Sequence, residues 1–247
     1  MPAGDPGCDG GCGDAVERRL RQRPVRVVRL SRSLAAGDPL EVARRLLGAV
    51  LTHRSPQGSV SVLLTEVEAY AGVGADPGSH AHRGPTPRTA VMFGPPGRLY
   101  VYFSYGRHWC VNVVCESVGD AGAVLLRAGR VTTGLDLARG RRPTARSDVD
   151  LARGPARLAA ALALDGGHNG LDVAGPQSCC RIQLPSQAAT AVGAGPRVGV
   201  RGTGGDGVRF PWRFWLDGDP TVSAYRGAAP LRQRHGSGGL RPDTLSP

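Results

Sequence analysis

Val60-Ser-Val-Leu-Leu-Thr-Glu-Val-Glu-Ala-Tyr70 is the stretch of sequence on which the predicted fold depends. It is rich in β-branched residues and is bounded by turn-forming residues, which predicts a β-strand. With a strand period of two, one face would carry Val60, Val62, Leu64, Glu66, Glu68 and Tyr70. An apolar row that runs into two carboxylates and a phenol suits a core poorly. We therefore predict that this strand forms the wall of a pocket.

A helix is predicted before this strand. Asp38 can cap its N-terminus, Pro39 suits the first helical position and Glu41 completes a capping-box pattern. The apolar residues that would share one face of the helix are Leu40, Ala43, Leu46, Leu47 and Val50. A turn at Ser55-Pro56-Gln57-Gly58 would join this region to the strand.

The segments after the strand predict an α+β domain. Residues 71–98 lack an apolar pattern and are expected to form a long binding loop. Strands are predicted at Leu99–Ser104, His108–Val114, Ala123–Leu126, Val198–Val200 and Phe214–Leu216, with Tyr105-Gly106 at a tip, a basic loop over Arg139–Arg146 and a helix opened by Gly154-Pro155. Strands and helices that do not alternate regularly argue against a doubly wound sheet.

The length and composition predict one domain over residues 26–230, with disordered tails at 1–25 and 231–247. The N-terminal region has no continuous apolar segment of a signal peptide, and no later apolar run is long enough to span a membrane. We expect a monomer in the cytoplasm, associated with the nucleoid.

The charge balance is strongly basic. Arginine supplies all 31 basic residues against 20 acidic ones, a formal net charge of +11, and lysine is absent. This balance favours a polyanionic partner, although an arginine-rich solvated surface explains it equally well. The absence of lysine excludes a Walker-type phosphate loop and a lysine Schiff base.

Two other patterns argue against cofactors. The string Gly202-Thr-Gly-Gly-Asp-Gly207 matches a dinucleotide-binding pattern, but Val208-Arg209-Phe210-Pro211 cannot open the helix that must follow, so a flexible loop is expected. The six cysteines show no spacing typical of zinc or iron–sulfur sites, and we expect no metal and no cofactor. Cys8 and Cys12 could bind a metal, but a solvated tail is the favoured interpretation.

Ionisable and aromatic residues concentrate in one region. Four of the five tyrosines, Tyr70, Tyr100, Tyr102 and Tyr105, lie in the same stretch as Glu68, His80, Asn112 and Arg127. An aromatic cluster alone would more often be core, but unpaired ionisable groups are costly in a core. Aromatic faces also stack on nucleobases, each contributing about 1–3 kcal/mol.

Several motifs resemble the alkyladenine (3-methyladenine) DNA glycosylase family. They are Thr65–Tyr70, Asp76–Ala81, Thr86–Arg88, Met92-Phe93, Leu99–Tyr102, Tyr105-Gly106, Cys110–Val113, Val124–Ala128, Gly154-Pro155, Arg197–Val200 and Arg213-Phe214. The resemblance covers roughly residues 38–223. It implies a single mixed domain on a curved, mainly antiparallel sheet flanked by helices, without a cofactor, that excises alkylated or deaminated purines from double-stranded DNA.

The resemblance also implies roles for individual residues. Glu68 would be the general base for a water molecule, which Arg127 and the carbonyl of Val198 help to place. Tyr70, His80 and Tyr102 would hold the flipped base, and Asn112 would exclude normal guanine. Tyr105 would fill the gap left in the DNA. Apart from the resemblance, contacts with the DNA backbone are assigned to Arg88, Arg107 and, in the basic loop, Arg141 and Arg142, although a merely solvated loop explains the last two equally well.

Three alternatives remain at this stage. Met1-Pro2 would permit a formamidopyrimidine-type glycosylase, but its zinc-binding cysteine pairs and its lysine are missing. No helix-hairpin-helix pattern or iron–sulfur cysteine set supports a glycosylase of that class. A non-catalytic protein that binds damaged DNA is opposed by the presence of Glu68. The sequence leaves open the preferred lesion, activity on single strands and the donor that would assist a neutral leaving base.

Overall fold

The computed structural model describes residues 28–228. The predicted tails, and with them Cys8 and Cys12, lie outside this range. The strands are β1 (Val28–Arg29), β2 (Val50–Ser55), β3 (Gly58–Tyr70), β4 (Leu99–Ser104), β5 (His108–Cys115), β6 (Gly122–Thr133), β7 (Cys180–Leu184), β8 (Val192–Gly195) and β9 (Arg213–Leu216). The α-helices are α1 (Arg32–Ala35), α2 (Pro39–Leu46), α3 (Leu135–Arg141) and α4 (Pro155–Leu162), and short 3-10 helices occur at Ala90–Phe93, Asp148–Asp150, Gly166–His168 and Gly202–Gly205.

The nine strands of the described residues join one open antiparallel sheet, seven of them in the order β1-β7-β2-β3-β6-β5-β4 with β8 and β9 off this path, which confirms the predicted α+β class. The long strand β3 organises it. Its first half pairs with β2, its second half pairs with β9, and β6 pairs along the opposite edge. Strand β9 also pairs with β8.

One face of the sheet is covered by helices and forms the main core. Helix α4 packs on β5 and β6, and α2 packs on β3. Strands β4 and β5 and the first half of β6 alternate, so Leu99, Val101, Val111, Val113, Val124 and Leu126 belong to this core. Because side chains alternate along a strand, their neighbours in sequence face the other way. That second face carries the site described below.

Strand β3 changes the side on which its apolar residues lie. Val60, Val62 and Leu64 belong to the core, but so do Val67 and Ala69. The register with β6 shifts between Leu64 and Glu66, so that Thr65 is an extra residue in β3, and shifts again after Glu66, where Arg127 is an extra residue in β6. The prediction that the apolar row and the carboxylates share one face was therefore wrong, because a β-bulge reverses the alternation.

Several predicted elements are confirmed. Helix α2 begins at Pro39, and the side chain of Asp38 accepts hydrogen bonds from the backbone N–H groups of Leu40 and Glu41. Strand β4 has the predicted bounds, residues 71–98 form a long loop that contains one 3-10 helix, and α4 begins at Pro155.

Other predictions were wrong. Val50 begins a strand rather than extending the helix, and Arg127 lies inside β6 rather than at the end of a short strand. Val198 and Gly199 form a turn, and the strand that pairs with β9 on the side away from β3 is β8. Arg139–Arg141 end helix α3, so only the rest of the predicted basic loop is a loop. The glycine-rich string forms a packed 3-10 helix, since a Cβ on Gly204 would overlap the backbone of Gly78.

Candidate active site

A cavity of about 840 Å³ opens on the sheet face opposite the helices. Strands β3 to β6 supply its floor, and the loops that contain His80 and Val198 supply its sides. The residues predicted for catalysis, for the base pocket and for intercalation all line it, namely Glu68, Tyr70, His80, Tyr102, Tyr105, Asn112, Arg127 and Val198. Its volume is in the range of small-molecule sites.

Glu68 is a fully buried carboxylate in the wall of this cavity. Its Oε1 accepts a hydrogen bond of 2.7 Å from the backbone N–H of Val198 and lies 3.2 Å from Nη1 of Arg127. Its Oε2 accepts a hydrogen bond of 2.8 Å from the hydroxyl of Tyr70. A carboxylate offers about four lone-pair positions, so these two hydrogen bonds and the neighbouring guanidinium leave at least one position free.

A second buried carboxylate, Glu66, holds Arg127 in place. Its Oε1 accepts hydrogen bonds from Nε of Arg127 at 2.8 Å and from Nε of Arg213 at 2.6 Å, and its Oε2 accepts one from the backbone N–H of Ser223 at 2.8 Å. Burial raises the pKa of Glu66, but the two guanidinium groups outweigh burial and lower it overall. Glu66, Glu68, Arg127 and Arg213 therefore form a charge-balanced network.

The same network keeps Arg127 charged. Burial lowers the pKa of Arg127, but Glu68 and Glu66 outweigh this effect and raise the pKa above its ordinary value. Arg127 is only 5% exposed, so its guanidinium has little freedom to turn away from Glu68. Donors fixed in a site of low dielectric constant act without reorganisation during a reaction.

A fully buried ion pair joins the loops around the cavity. Arg197 makes two parallel hydrogen bonds to Asp76, of 2.6 and 2.7 Å, and donates to the carbonyls of Ala69 and Gly204. Its guanidinium carbon lies 4.5 Å from the centre of the Tyr70 ring. Arg197 thereby connects the end of β3 with both side loops of the cavity.

Aromatic rings form the opposite wall. His80 and Tyr102 meet edge to face with ring centres 4.7 Å apart, and Nδ1 of His80 lies 3.1 Å from the hydroxyl of Tyr100. Partial burial, with a smaller effect of Arg88, lowers the pKa of His80 to about 4. The imidazole is therefore neutral near pH 7, and this wall can stack on a flat ring.

Asn112 and Tyr105 occupy the two extremes of exposure. Asn112 is buried at the cavity wall, where its Nδ2 donates to the carbonyl of Tyr100 and fixes the orientation of the amide. Tyr105 stands at the tip of the β4–β5 hairpin, 83% exposed, with a φ of 48°. A non-glycine residue with positive φ is uncommon and often marks a functional turn.

Comparison with known proteins identifies the family. Residues 33–220 match the methylpurine-DNA glycosylase (MPG) family. The chain belongs to this family. Its members are hydrolases that act on N-glycosidic bonds, so the chain is such an enzyme and DNA is its substrate.

Close relatives agree with this assignment. The chain is 51% identical over 207 residues to a protein of Streptomyces avermitilis, covering 83% of this chain and 95% of the relative. It is 50% identical over 206 residues to a protein of Leifsonia xyli subsp. xyli, covering 82% and 95% of the two chains. A protein of Nocardia farcinica is 52% identical over 206 residues, covering 79% and 93%. All three are named as candidate 3-methyladenine DNA glycosylases.

The structure of this methylpurine-DNA glycosylase family member distributes the predicted backbone contacts unevenly. Arg88 lines the cavity, with its guanidinium carbon 5.1 Å from the centre of the Tyr102 ring. Arg107 is exposed beside the hairpin tip. Arg141 and Arg142 do not line the cavity, and Arg141 donates instead to the carbonyl of Ala161 and the hydroxyl of Ser55.

Sequence reasoning assigned no role to several residues that shape the site. The motifs that carry the family resemblance include Glu66, Asp76, Arg197 and Arg213. Their spacing in the sequence does not show that Glu66 pairs with Arg213 or that Asp76 pairs with Arg197. Arg201 and Arg226 are exposed arginines at the cavity. Because arginine is abundant throughout the chain, the sequence does not distinguish these two from the others.

In the described part of the chain no helix is both long and apolar enough to span a membrane.

Proposed function

We propose that this glycosylase flips a damaged purine out of duplex DNA and hydrolyses its N-glycosidic bond with a water molecule activated by Glu68. One observation carries the proposal. The buried carboxylate keeps a free lone-pair position in an aromatic cavity whose size suits a single base. An enzyme that attacks the bond between sugar and base has to move the nucleotide out of the base stack and into such a pocket.

The flipped base would lie between Tyr70 and the wall formed by His80 and Tyr102. His80 and Tyr102 meet edge to face, so one of the two rings would lie flat against the base while the other supports it, and Arg197 packs on the Tyr70 ring. A cationic alkylated purine gains additional attraction from these π faces. Asn112, with its amide held by Tyr100, would crowd the exocyclic amine of normal guanine.

Glu68 would act as a general base toward the sugar carbon. Arg127 and the N–H of Val198 hold the carboxylate in its orientation, and the carbonyl of Val198 would help to place the water. As the water attacks, Glu68 accepts its proton while the bond between sugar and base breaks. An alkylated purine is already a cationic leaving group, so one carboxylate can suffice where neutral glycosides need two.

The surroundings of the cavity suit duplex DNA. Tyr105 would fill the space left by the flipped base, because its ring is exposed at the tip beside the cavity. Arg201 and Arg226 are exposed at the cavity, Arg107 is exposed two residues after Tyr105, and all three would contact phosphates. Such contacts fix the position on DNA without reading its sequence.

We further propose that the enzyme is monofunctional and acts as a monomer. The chain contains no lysine that could form a Schiff base with the sugar, so strand cleavage by that route is closed. The substrates would be 3-methyladenine-type lesions, with hypoxanthine and 1,N6-ethenoadenine as neutral alternatives. Sedimentation at micromolar concentration measures the oligomeric state.

The deciding experiment measures release of free base from duplexes that carry 7-methylguanine, hypoxanthine or 1,N6-ethenoadenine. Samples with and without alkali treatment are run side by side. Base release with strand cleavage only after alkali is the expected result. Cleavage without alkali would overturn the monofunctional assignment, and tight binding without any base release would show a non-catalytic protein that binds damaged DNA.

A further inference from the structure

A second cluster of reactive side chains lies outside the cavity, where β2 meets β7. A ring nitrogen of His53 and the Sγ atoms of Cys179 and Cys180 lie within 4.8 Å of one another. Antiparallel pairing of β2 with β7 places His53 directly opposite Cys180. None of the three lines the active-site cavity. The glycosylase reaction leaves this cluster unexplained.

The histidine is held as metal-binding histidines are usually held. Nδ1 of His53 lies 2.6 Å from the carbonyl oxygen of Leu162, at the end of α4. A carbonyl oxygen only accepts, so Nδ1 carries the proton and Nε2 keeps the lone pair. A backbone carbonyl on the second ring nitrogen fixes the tautomer and the ring orientation of a ligand histidine. His53 is 4% exposed and Cys180 is fully buried.

The cluster is also accessible from solvent. Cys179 is half-buried and lines an open pocket of about 200 Å³, together with Thr52, Arg54, Arg181 and Gln183. An ion could therefore enter past Cys179 and reach the buried Cys180.

We propose that His53, Cys179 and Cys180 bind a thiolate-seeking d10 cation, Zn²⁺ or Cu⁺, in a structural site. Two thiolates neutralise a divalent charge in a mostly buried position, and mixed sulfur and nitrogen ligands are those that such ions prefer. Three protein ligands suit trigonal Cu⁺. A tetrahedral Zn²⁺ would take a water molecule or His168, whose ring contacts that of His53 with centres 4.8 Å apart.

This proposal departs from the sequence-based expectation of no metal. That expectation came from cysteine spacing, and the ligands here come from two distant segments that only strand pairing joins. A bound ion would connect β2, β7 and the end of α4. Since the site lies outside the cavity, its expected effect is on stability rather than on excision.

The test uses the full chain with Cys8→Ser and Cys12→Ser, which removes the two N-terminal thiols. Zn²⁺ and Cu⁺ are each titrated, under reducing conditions, against a chromophoric chelator, and Co²⁺ serves as a spectroscopic substitute for Zn²⁺. One equivalent of ion should bind, with thiolate-to-metal charge-transfer absorption. Binding at about 100 times the Kd should raise Tm by about 5–10 °C.

Variants decide whether these residues are the ligands. In the same background, Cys179→Ser, at a partly exposed position, should weaken metal binding at least about 100-fold. Loss of a residue that only hydrogen-bonds to a metal ligand already lowers metal affinity by about 10–100-fold. His53→Gln should do the same, and Cys115→Ala, a buried thiol elsewhere in the core, should bind normally. Near-ultraviolet circular dichroism checks that each variant is folded. The proposal is overturned if the Cys8→Ser, Cys12→Ser protein does not bind one equivalent of ion, or if adding Cys179→Ser leaves the affinity for the ion unchanged.

Discussion

Nη1 of Arg127 lies 3.2 Å from Oε1 of Glu68, while Nε of the same guanidinium lies 2.8 Å from Oε1 of Glu66. One arginine therefore bridges the proposed general base and a second buried carboxylate. The bridge requires both carboxylates on the same side of β3, and the bulge at Thr65 turns that side away from the core. The proposed catalytic carboxylate is thus positioned through several fixed partners rather than through one.

Glu68→Gln should abolish excision while leaving lesion binding intact. The substitution preserves shape but removes the proton acceptor, and general base catalysis contributes about 10²–10⁴-fold. Single-turnover base release should fall by that factor, whereas binding to a 1,N6-ethenoadenine duplex should be unchanged. Glu41→Gln, at an exposed position on α2, is the matched control. Wild-type rates in Glu68→Gln would disprove the role of Glu68.

Glu66→Gln should destabilise the fold as well as slow excision. It leaves two buried guanidinium groups short of one negative charge, which costs about 3–5 kcal/mol in the free energy of unfolding. Because the pKa of Glu66 is lowered in the folded state, its contribution is fully present above its ordinary pKa of 4.5 and is lost as the pH falls below it. Urea unfolding should show that the difference in the free energy of unfolding between wild type and variant becomes smaller below that pH. A constant gap would contradict the ionised state of Glu66.

Tyr105→Ala should shorten the lifetime of the flipped base without affecting stability. The side chain is 83% exposed, so its loss should change the free energy of unfolding by no more than about 0.5 kcal/mol. Fluorescence of 2-aminopurine beside the lesion measures flipping. Tyr225→Ala, an exposed tyrosine that does not line the cavity, serves as the control. If both variants retain the wild-type signal, Tyr105 is not the wedge.

His80 should titrate well below an ordinary histidine. Its pKa of about 4 lies below the ordinary value of 6.5, so the folded state favours the neutral ring. The stability that depends on the neutral ring is complete above pH 6.5 and decreases as the pH falls toward 4. Titration of the ring by NMR, with His80→Gln to assign the signal, checks the value. A midpoint near 6.5 would show that the ring is solvated.

Arg88→Gln should shift lesion choice toward cationic bases. The guanidinium of Arg88 lies against the Tyr102 ring, where its charge repels a cationic purine and competes for the ring face. The rate for 7-methylguanine relative to hypoxanthine should rise by roughly three- to tenfold. Arg107→Gln, an exposed arginine beside the hairpin tip, should weaken both substrates equally. If the ratio of the two rates does not change in Arg88→Gln, Arg88 does not influence lesion choice, and the phosphate contact predicted from the sequence is the role that is left for it.

Local patterns were enough to predict much of the fold. The cap at Asp38, the helix start at Pro155 and the bounds of β4 each depend on chemistry within a few residues. Strands β1, β2, β7 and β8 were not predicted. Their formation depends on pairing partners that are distant in the chain, as between β2 and β7.

The sequence alone determined the class of protein, the lack of lysine chemistry and which side chains gather around one cavity, because motif order and strand alternation carry that information. Only the tertiary structure decided which charges pair. Arg213 reaches Glu66 across 147 positions, Arg197 reaches Asp76 across 121, and His53 meets Cys180 through strand pairing. The bulge at Thr65 belongs to the same category. Such contacts depend on where the whole chain packs, and no local spacing specifies that.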